Sequence, residues 1–260
     1  MKHRIIQVAD DFWNIRGSFK IGGVVDVGTQ VSLVRLGSGK FVFLDAYTLD
    51  DSVARQVRKL TNGGADVDAI LNLHPFHTIH VRPMHEGFPN AKLYGTARHV
   101  SRFPELPWQA QLTESEELHT MFGGDFDFSV PRGVDFISSN ENVHFSSVLA
   151  LHRASQTIHV DDTLMYVTLP KVARLFGHAD LLSFHPTLAK ALEKRPRASA
   201  DFRHWAEELA ARWGDARNLC AAHTAALTAD RNRGASIHAR ILQALDKVSR
   251  TLAAHERKYG

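Results

Sequence analysis

The chain has 260 residues, 44% hydrophobic and 23% charged, an ordinary globular composition with length enough for one large domain. A formal charge of +3, carried by scattered Lys and Arg, excludes the concentrated basic surface that nucleic-acid binding needs. One cysteine, Cys220, excludes an intrachain disulfide framework; with no apolar run of about eighteen residues and no signal-like start, a cytosolic protein that does not enter the membrane is expected.

Residues 12–15 and 30–36 read as strands, and the turn Gly37-Ser38-Gly39-Lys40 folds the second onto a strand at 41–44. Asp45 follows directly. Over 49–60, Val53, Val57 and Leu60 share a helical face, and Asp50 and Asp51 lie at the end where the helix dipole favours acids. Asn62-Gly63-Gly64 closes that helix in the manner of a left-handed cap. Residues 69–73 form the next strand, Pro89-Asn90 precedes a short strand over 91–95, and a helix begins at Thr96. Residues 103–130, broken by prolines and by Gly123-Gly124, read as a loop-rich insertion.

The pattern then restarts. Residues 143–151 and 156–160 form a hairpin turned by Arg153-Ala154-Ser155, and 187–193 is a short helix. An amphipathic helix over 200–213 aligns Phe202, Trp205, Leu209 and Trp213, a stripe read as core with a homodimer face as the alternative. Residues 217–222 make a strand ending at His223, and 236–255 read as one long helix with Ile237, Ile241, Leu245, Val248 and Leu252 in register. Two such halves, presenting their loops to one shared edge, predict a four-layer α/β/β/α sandwich. No internal linker divides it, so a single domain over 1–260 is expected.

Histidine is the chemical outlier, at 16 residues. His74, His77 and His80 fall where the 69–73 strand ends, the end at which α/β sheets bind ligands. Neutral imidazole is the commonest metal ligand, so the cluster is a candidate metal nest. The alternative is a loop in which Pro75 and Phe76 pack and the imidazoles bond to backbone. Asp162, ending the 156–160 strand, is the best acid candidate; Asp161 beside it could exchange roles, and both could instead cap the following turn. His223 reads as a ligand or a satisfied core histidine. His152 and His159 read as structural, His178 and His185 as loop residues, and Cys220 as a small buried residue. There is no Ser-His-Asp signature, Walker loop or dinucleotide fingerprint, and Gly22-Gly23 are turn glycines.

Five landmarks, in this order, resemble the metallo-β-lactamase superfamily over nearly the whole chain. They are a hairpin ending in an acid (Phe43-Leu44-Asp45), a strand running into histidines (Ile70-Leu71-Asn72-Leu73-His74), and His144 before Phe145-Ser146-Ser147. The others are a strand ending in an aspartate (Thr157-Ile158-His159-Val160-Asp161-Asp162) and a last strand ending in Ala221-Ala222-His223. The usual His-x-His-x-Asp-His is incomplete: aligned on His74, it finds Phe76, Thr78 and Ile79 in place of the second histidine, the aspartate and the third histidine. A branch of the superfamily with Asn-x-x-His-His in place of that motif is more similar. Here His74-x-x-His77-Thr78, then Pro89-Asn90-Ala91-Lys92-Leu93-Tyr94, then His152-Arg153-Ala154-Ser155-Gln156-Thr157 follow its pattern.

The resemblance implies the four-layer sandwich and a divalent metal site, with zinc first and one or two ions. Its ligands would come from His74, His77, His80, His144, Asp162 and His223. Asp162 takes the place of the metal-bridging aspartate and is the implied catalytic residue, and Asp45 takes that of a residue supporting the site. Thr78 cannot ligate as an anion, which makes a one-metal site easier to build. The expected activity is metal-dependent hydrolysis of a small molecule. The alternative is a non-catalytic member that has lost its metal and serves in binding or interaction, because this scaffold carries several chemistries.

Overall fold

The structure, a computed structural model, describes residues 3–18, 20–21, 25–26, 28–168, 180–222, 225–232 and 235–260. The Gly22-Gly23 turn, His178 and His223 lie outside the described residues. The strands are β1 (Arg4–Ala9), β2 (Phe12–Gly17), β3 (Lys20–Ile21), β4 (Val25–Asp26), β5 (Thr29–Arg35), β6 (Phe41–Leu44), β7 (Val67–Leu71) and β8 (Lys92–Tyr94), followed by β9 (Phe126–Ser129), β10 (Leu149–His152), β11 (Thr157–Val160), β12 (Leu164–Val167), β13 (Leu181–Phe184), β14 (Asn218–Ala221) and β15 (Ala226–Leu227). The described helices are α1 (Asp51–Leu60), α2 (Val81–Gly87), α3 (Ala97–Arg102), α4 (Glu116–Met121), α5 (Leu188–Ala191), α6 (Ala198–Arg212), α7 (Ile237–Lys247) and α8 (Ser249–Tyr259).

One sheet runs β1-β2-β5-β6-β7-β8 and the other β15-β14-β11-β10-β9. Strands β6, β7 and β8 are parallel, as are β11 and β14, so the carboxyl ends of both parallel sets can supply one edge. Alternation along the strands sorts the layers. Val31, Leu33 and Phe43 pack outward against Val53 and Val57 of α1 and Met84 of α2. Val34, Val42, Leu44 and Leu71 face Val148, Ala150 and Cys220 between the sheets. Leu149, Ile158, Val160 and Leu219 pack outward under α6 and α7, where the stripe Phe202, Trp205, Leu209 and Trp213 is buried core. The order is therefore helix, sheet, sheet, helix, as expected.

Several local features depart from the sequence reading. The 103–130 insertion contains α4, whose N-cap Ser115 accepts from the Leu118 N–H, and β9, which places Phe126 and Phe128 in the inter-sheet core. Of the 143–151 strand only its end, in β10, is extended in the sheet. The long C-terminal helix is broken at Val248 (φ −94°, ψ 2°), and α8 turns so that Leu252 joins the outer core and His255 Nε2 meets Glu193 O at 2.9 Å. No helix among the described residues is long and apolar enough to cross a membrane.

Toward the shared edge the space between the sheets turns polar. Asn14 Nδ2 donates to Gln30 Oε1 (2.9 Å) and Ser32 Oγ (3.1 Å). Gln30 Nε2 donates to Val160 O (2.9 Å) and Cys220 O (3.1 Å), while Arg16 Nη1 donates to Ala221 O (2.6 Å) and Nη2 to Ala222 O (3.2 Å). Burial lowers the Arg16 pKa to about 10, which leaves it cationic at neutral pH.

Candidate metal centre

Asp45, the first residue beyond β6, occupies the left-handed region at φ 68°, unusual for a residue with a side chain. Its surroundings over-determine it. Its N–H donates to Leu71 O (2.8 Å), Oδ1 accepts from the N–H groups of Leu73 (2.8 Å) and His74 (3.3 Å), and Oδ2 lies 3.2 Å from His159 Nε2. The His159 ring is held in turn by Ser32 Oγ, 2.9 Å from Nδ1. The exit of β7 is thereby pinned where the first histidine emerges. A second brace comes from His99, in a capping box with Thr96, whose Nε2 lies 3.5 Å from His77 O.

On that frame His74 and His77 stack, ring centroids 4.0 Å apart at 18°. Asp162 Oδ2, arriving from the end of β11, lies 3.3 Å from His74 Nε2 and 3.6 Å from His77 Nε2. The other nitrogen of His77, Nδ1, lies 3.9 Å from Asp161 Oδ1. Two donor groups result, His74/His77/Asp162 and Asp45/His77/Asp161, in each of which the ligand atoms lie within 4.8 Å of one another. His74 and Asp161 are fully buried, whereas the His77 side chain is 27% exposed.

Burial, then the neighbouring His77, lowers the His74 pKa to about 4, so its ring is neutral at neutral pH. Burial alone would raise Asp45, but the Asp161 carboxyl and the His159 imidazole outweigh it and hold Asp45 well below the usual carboxylate range. Burial, followed by the Asp45 and Asp162 charges, holds Asp161 well above that range. Proximity has thus pushed two carboxyls apart in acidity.

The residues fit a borderline divalent ion. Two imidazoles and a carboxylate with an accessible side form a donor set that zinc accepts. His74 Nε2 is buried facing Asp162, and both Asp161 oxygens are buried beside Asp45. One feature opposes immediate loading. Phe76 N–H donates to His74 Nδ1 (3.1 Å), so the ring proton of neutral His74 sits on Nε2, the atom that faces Asp162.

His80 and His144, also expected as ligands, lie around this centre rather than in either donor group. His80 Nδ1 bonds to Thr48 Oγ1 (2.8 Å), and its ring contacts Tyr47. His144 stacks on Phe76 (4.8 Å, 14°), with its Nε2 2.5 Å from Glu141 O. The Arg98 guanidinium lies over the Phe76 ring, 4.4 Å from its centroid, and pairs with Glu141. His77, Asp162, Phe76, Ile79, His80 and His144 line a pocket of about 280 Å³ that opens beside the donors. His185 also lines it, whereas sequence reasoning placed it in a loop without a role. His159, read as structural, braces Asp45: alternation against Ile158 and Val160 turns its ring inward to that carboxylate.

No family model matches this chain, and no curated protein matches it. Solved structures do. A metallo-β-lactamase from Erythrobacter litoralis with β-mercaptoethanol in its active site is 12% identical, with 94% of this chain and 96% of that chain covered at a TM-score of 0.60. The metallo-β-lactamase FIM-1 from Pseudomonas aeruginosa, in its mono-zinc form, is 11% identical over 96% of this chain and 97% of that one, at a TM-score of 0.59. A metallo-β-lactamase from Hirschia baltica is 12% identical over 95% and 98%, at 0.58. These likenesses establish the fold.

Proposed function

We propose that this chain, which has the metallo-β-lactamase fold, is a metal-dependent hydrolase of a small-molecule substrate. The observation that carries the reading is the meeting of His74, His77 and Asp162, from the ends of strands in different sheets, with ligand atoms within 4.8 Å at a pocket. Those three residues would hold the ion, with zinc first by donor type. A divalent metal there supplies Lewis-acid polarisation of the scissile group and lowers the pKa of a water.

The remaining work falls to the chain itself. Asp45 fixes the backbone of His74 through its N–H, and His99 braces that of His77, so both rings are positioned before substrate arrives. Phe76, Ala46 and Ile79 give the pocket an apolar wall that seats a non-polar group and sheds water. Asp162, at the pocket, is the carboxylate nearest an incoming substrate and orients polar groups there.

One observation favours a second reading, a non-catalytic binding protein. With Phe76 N–H on Nδ1, His74 is arranged as a metal-free ring, and Thr78 and Ile79 supply no ligand. Elemental analysis of protein purified without chelator or added metal separates the two. The hydrolase reading expects about one ion per chain or more, and hydrolysis of small esters or thioesters that His77→Ala and Asp162→Ala abolish. Metal below about a tenth of that, with no uptake of added zinc or manganese, overturns it.

A further inference from the structure

Asp161 has no part in that reading, yet its placement is unusual for an acid. It is 1% exposed, and its oxygens face a second acid, Asp45, and the imidazoles of His77 and His159. Burying a carboxyl in this way is unfavourable unless something pairs with it. Its oxygens point into a group that includes Asp45 and His77, with Oδ1 3.9 Å from His77 Nδ1 and Oδ2 3.9 Å from His159 Nε2.

We propose that this chain takes one divalent cation at a time, in either of two overlapping seats that share His77. The outer seat is His74, His77 and Asp162; the inner is Asp45, His77 and Asp161. The inference rests on the metal reading above and adds to it both a second position and a stoichiometry.

His77 is the reason the seats exclude one another. Its Nε2 faces Asp162 at 3.6 Å and its Nδ1 faces Asp161 at 3.9 Å. A neutral imidazole has a lone pair on one ring nitrogen and a proton on the other, so the ring serves one seat and presents N–H to the second. The seats differ in chemistry. Two imidazoles and one carboxylate suit zinc, while two carboxylates and one imidazole suit a harder ion such as manganese.

The test is calorimetric titration of the full chain with zinc and, separately, manganese, with bound metal counted by elemental analysis. The expected result is one ion per chain with either metal. Asp161→Asn should weaken manganese by about tenfold or more while leaving zinc within about threefold, Asp162→Asn should do the reverse, and His77→Ala should weaken both. Two ions per wild-type chain overturn the inference and leave the hydrolase reading standing; this count needs no variant to fold. An Asp161→Asn protein with native circular dichroism and unchanged manganese affinity also overturns it. A wild-type chain that takes up neither metal overturns both.

Discussion

Asp45 Oδ2 and His159 Nε2 lie 3.2 Å apart across the gap between the two sheets. Asp45 follows β6 and His159 is within β11, so this contact joins the sheets beside the donors. The other Asp45 oxygen binds the two N–H groups that lead into the histidine segment. One buried carboxylate therefore aligns three chain segments, which explains why the backbone tolerates a left-handed conformation there.

Asp45→Ala should destabilise the fold by about 3 kcal/mol, because it strands buried N–H donors and leaves a β-carbon in the left-handed region without compensation. Asp45→Asn keeps an acceptor and tolerates that conformation, so it should lose less. Urea unfolding of both variants checks the order; equal losses would mean that the side-chain acceptors are not what holds this turn.

His99 should shape the acid limb of stability. Burial, opposed by the Asp45 charge, lowers its pKa from 6.5 to about 4 in the folded chain. As pH falls through 6.5 the unfolded chain takes up a proton that the folded chain refuses, so stability drops down to about pH 4. The slope from one such group is at most about 1.4 kcal/mol per pH unit. His99→Gln retains a side chain suited to the capping box with Thr96 and removes the titration. Its unfolding free energy should fall less steeply over that interval than the wild type's, and parallel curves would refute the assignment.

Cys220 should be inert in the folded chain. It is 0% exposed, and burial pushes its thiol up to about 12, with the Arg16 charge opposing. An aromatic disulfide reagent should leave the native protein unmodified and react with one thiol per chain after unfolding. The same shift predicts an alkaline limb. Above 9.0 the unfolded thiol ionises while the folded one does not, so stability falls with rising pH, and Cys220→Ala should flatten that fall by up to about 1.4 kcal/mol per pH unit.

The parts of the fold legible in the sequence are those where local signals coincide. Helix α1 joins an apolar face, Val53 and Val57, to an Asp50 cap whose carboxylate accepts from Val53 N–H at 2.8 Å. Strand β7 is apolar on both faces because helices cover one side and the second sheet the other. The meeting of His74, His77 and Asp162 was legible from the metallo-β-lactamase resemblance, which set all three at the ends of strands. The roles of His159 and His99 were not, because each depends on a partner from a distant segment, Asp45 for one and the His77 carbonyl for the other. Tertiary contacts also placed His80 against Tyr47 and His144 against Phe76, in segments whose course no periodicity dictates. Strand β9 could have been found: Phe126-Asp127-Phe128-Ser129 alternates, but it sits among the glycines and prolines that marked the region as loop.

Gln30 grips the carbonyls of Val160 and Cys220, and Arg16 those of Ala221 and Ala222, the residues that close two parallel strands of the opposite sheet. Apolar layers can slide by a fraction of an ångström to absorb a changed side chain; hydrogen-bonded ones are indexed to one another like teeth on a rack. The spacing between the acids after β11 and the chain leaving β14 is thus dictated by β2 and β5, strands that contribute no residue to either candidate ligand group. Substitutions at Arg16 or Gln30 would therefore shift the spacing between Asp161, Asp162 and the end of β14.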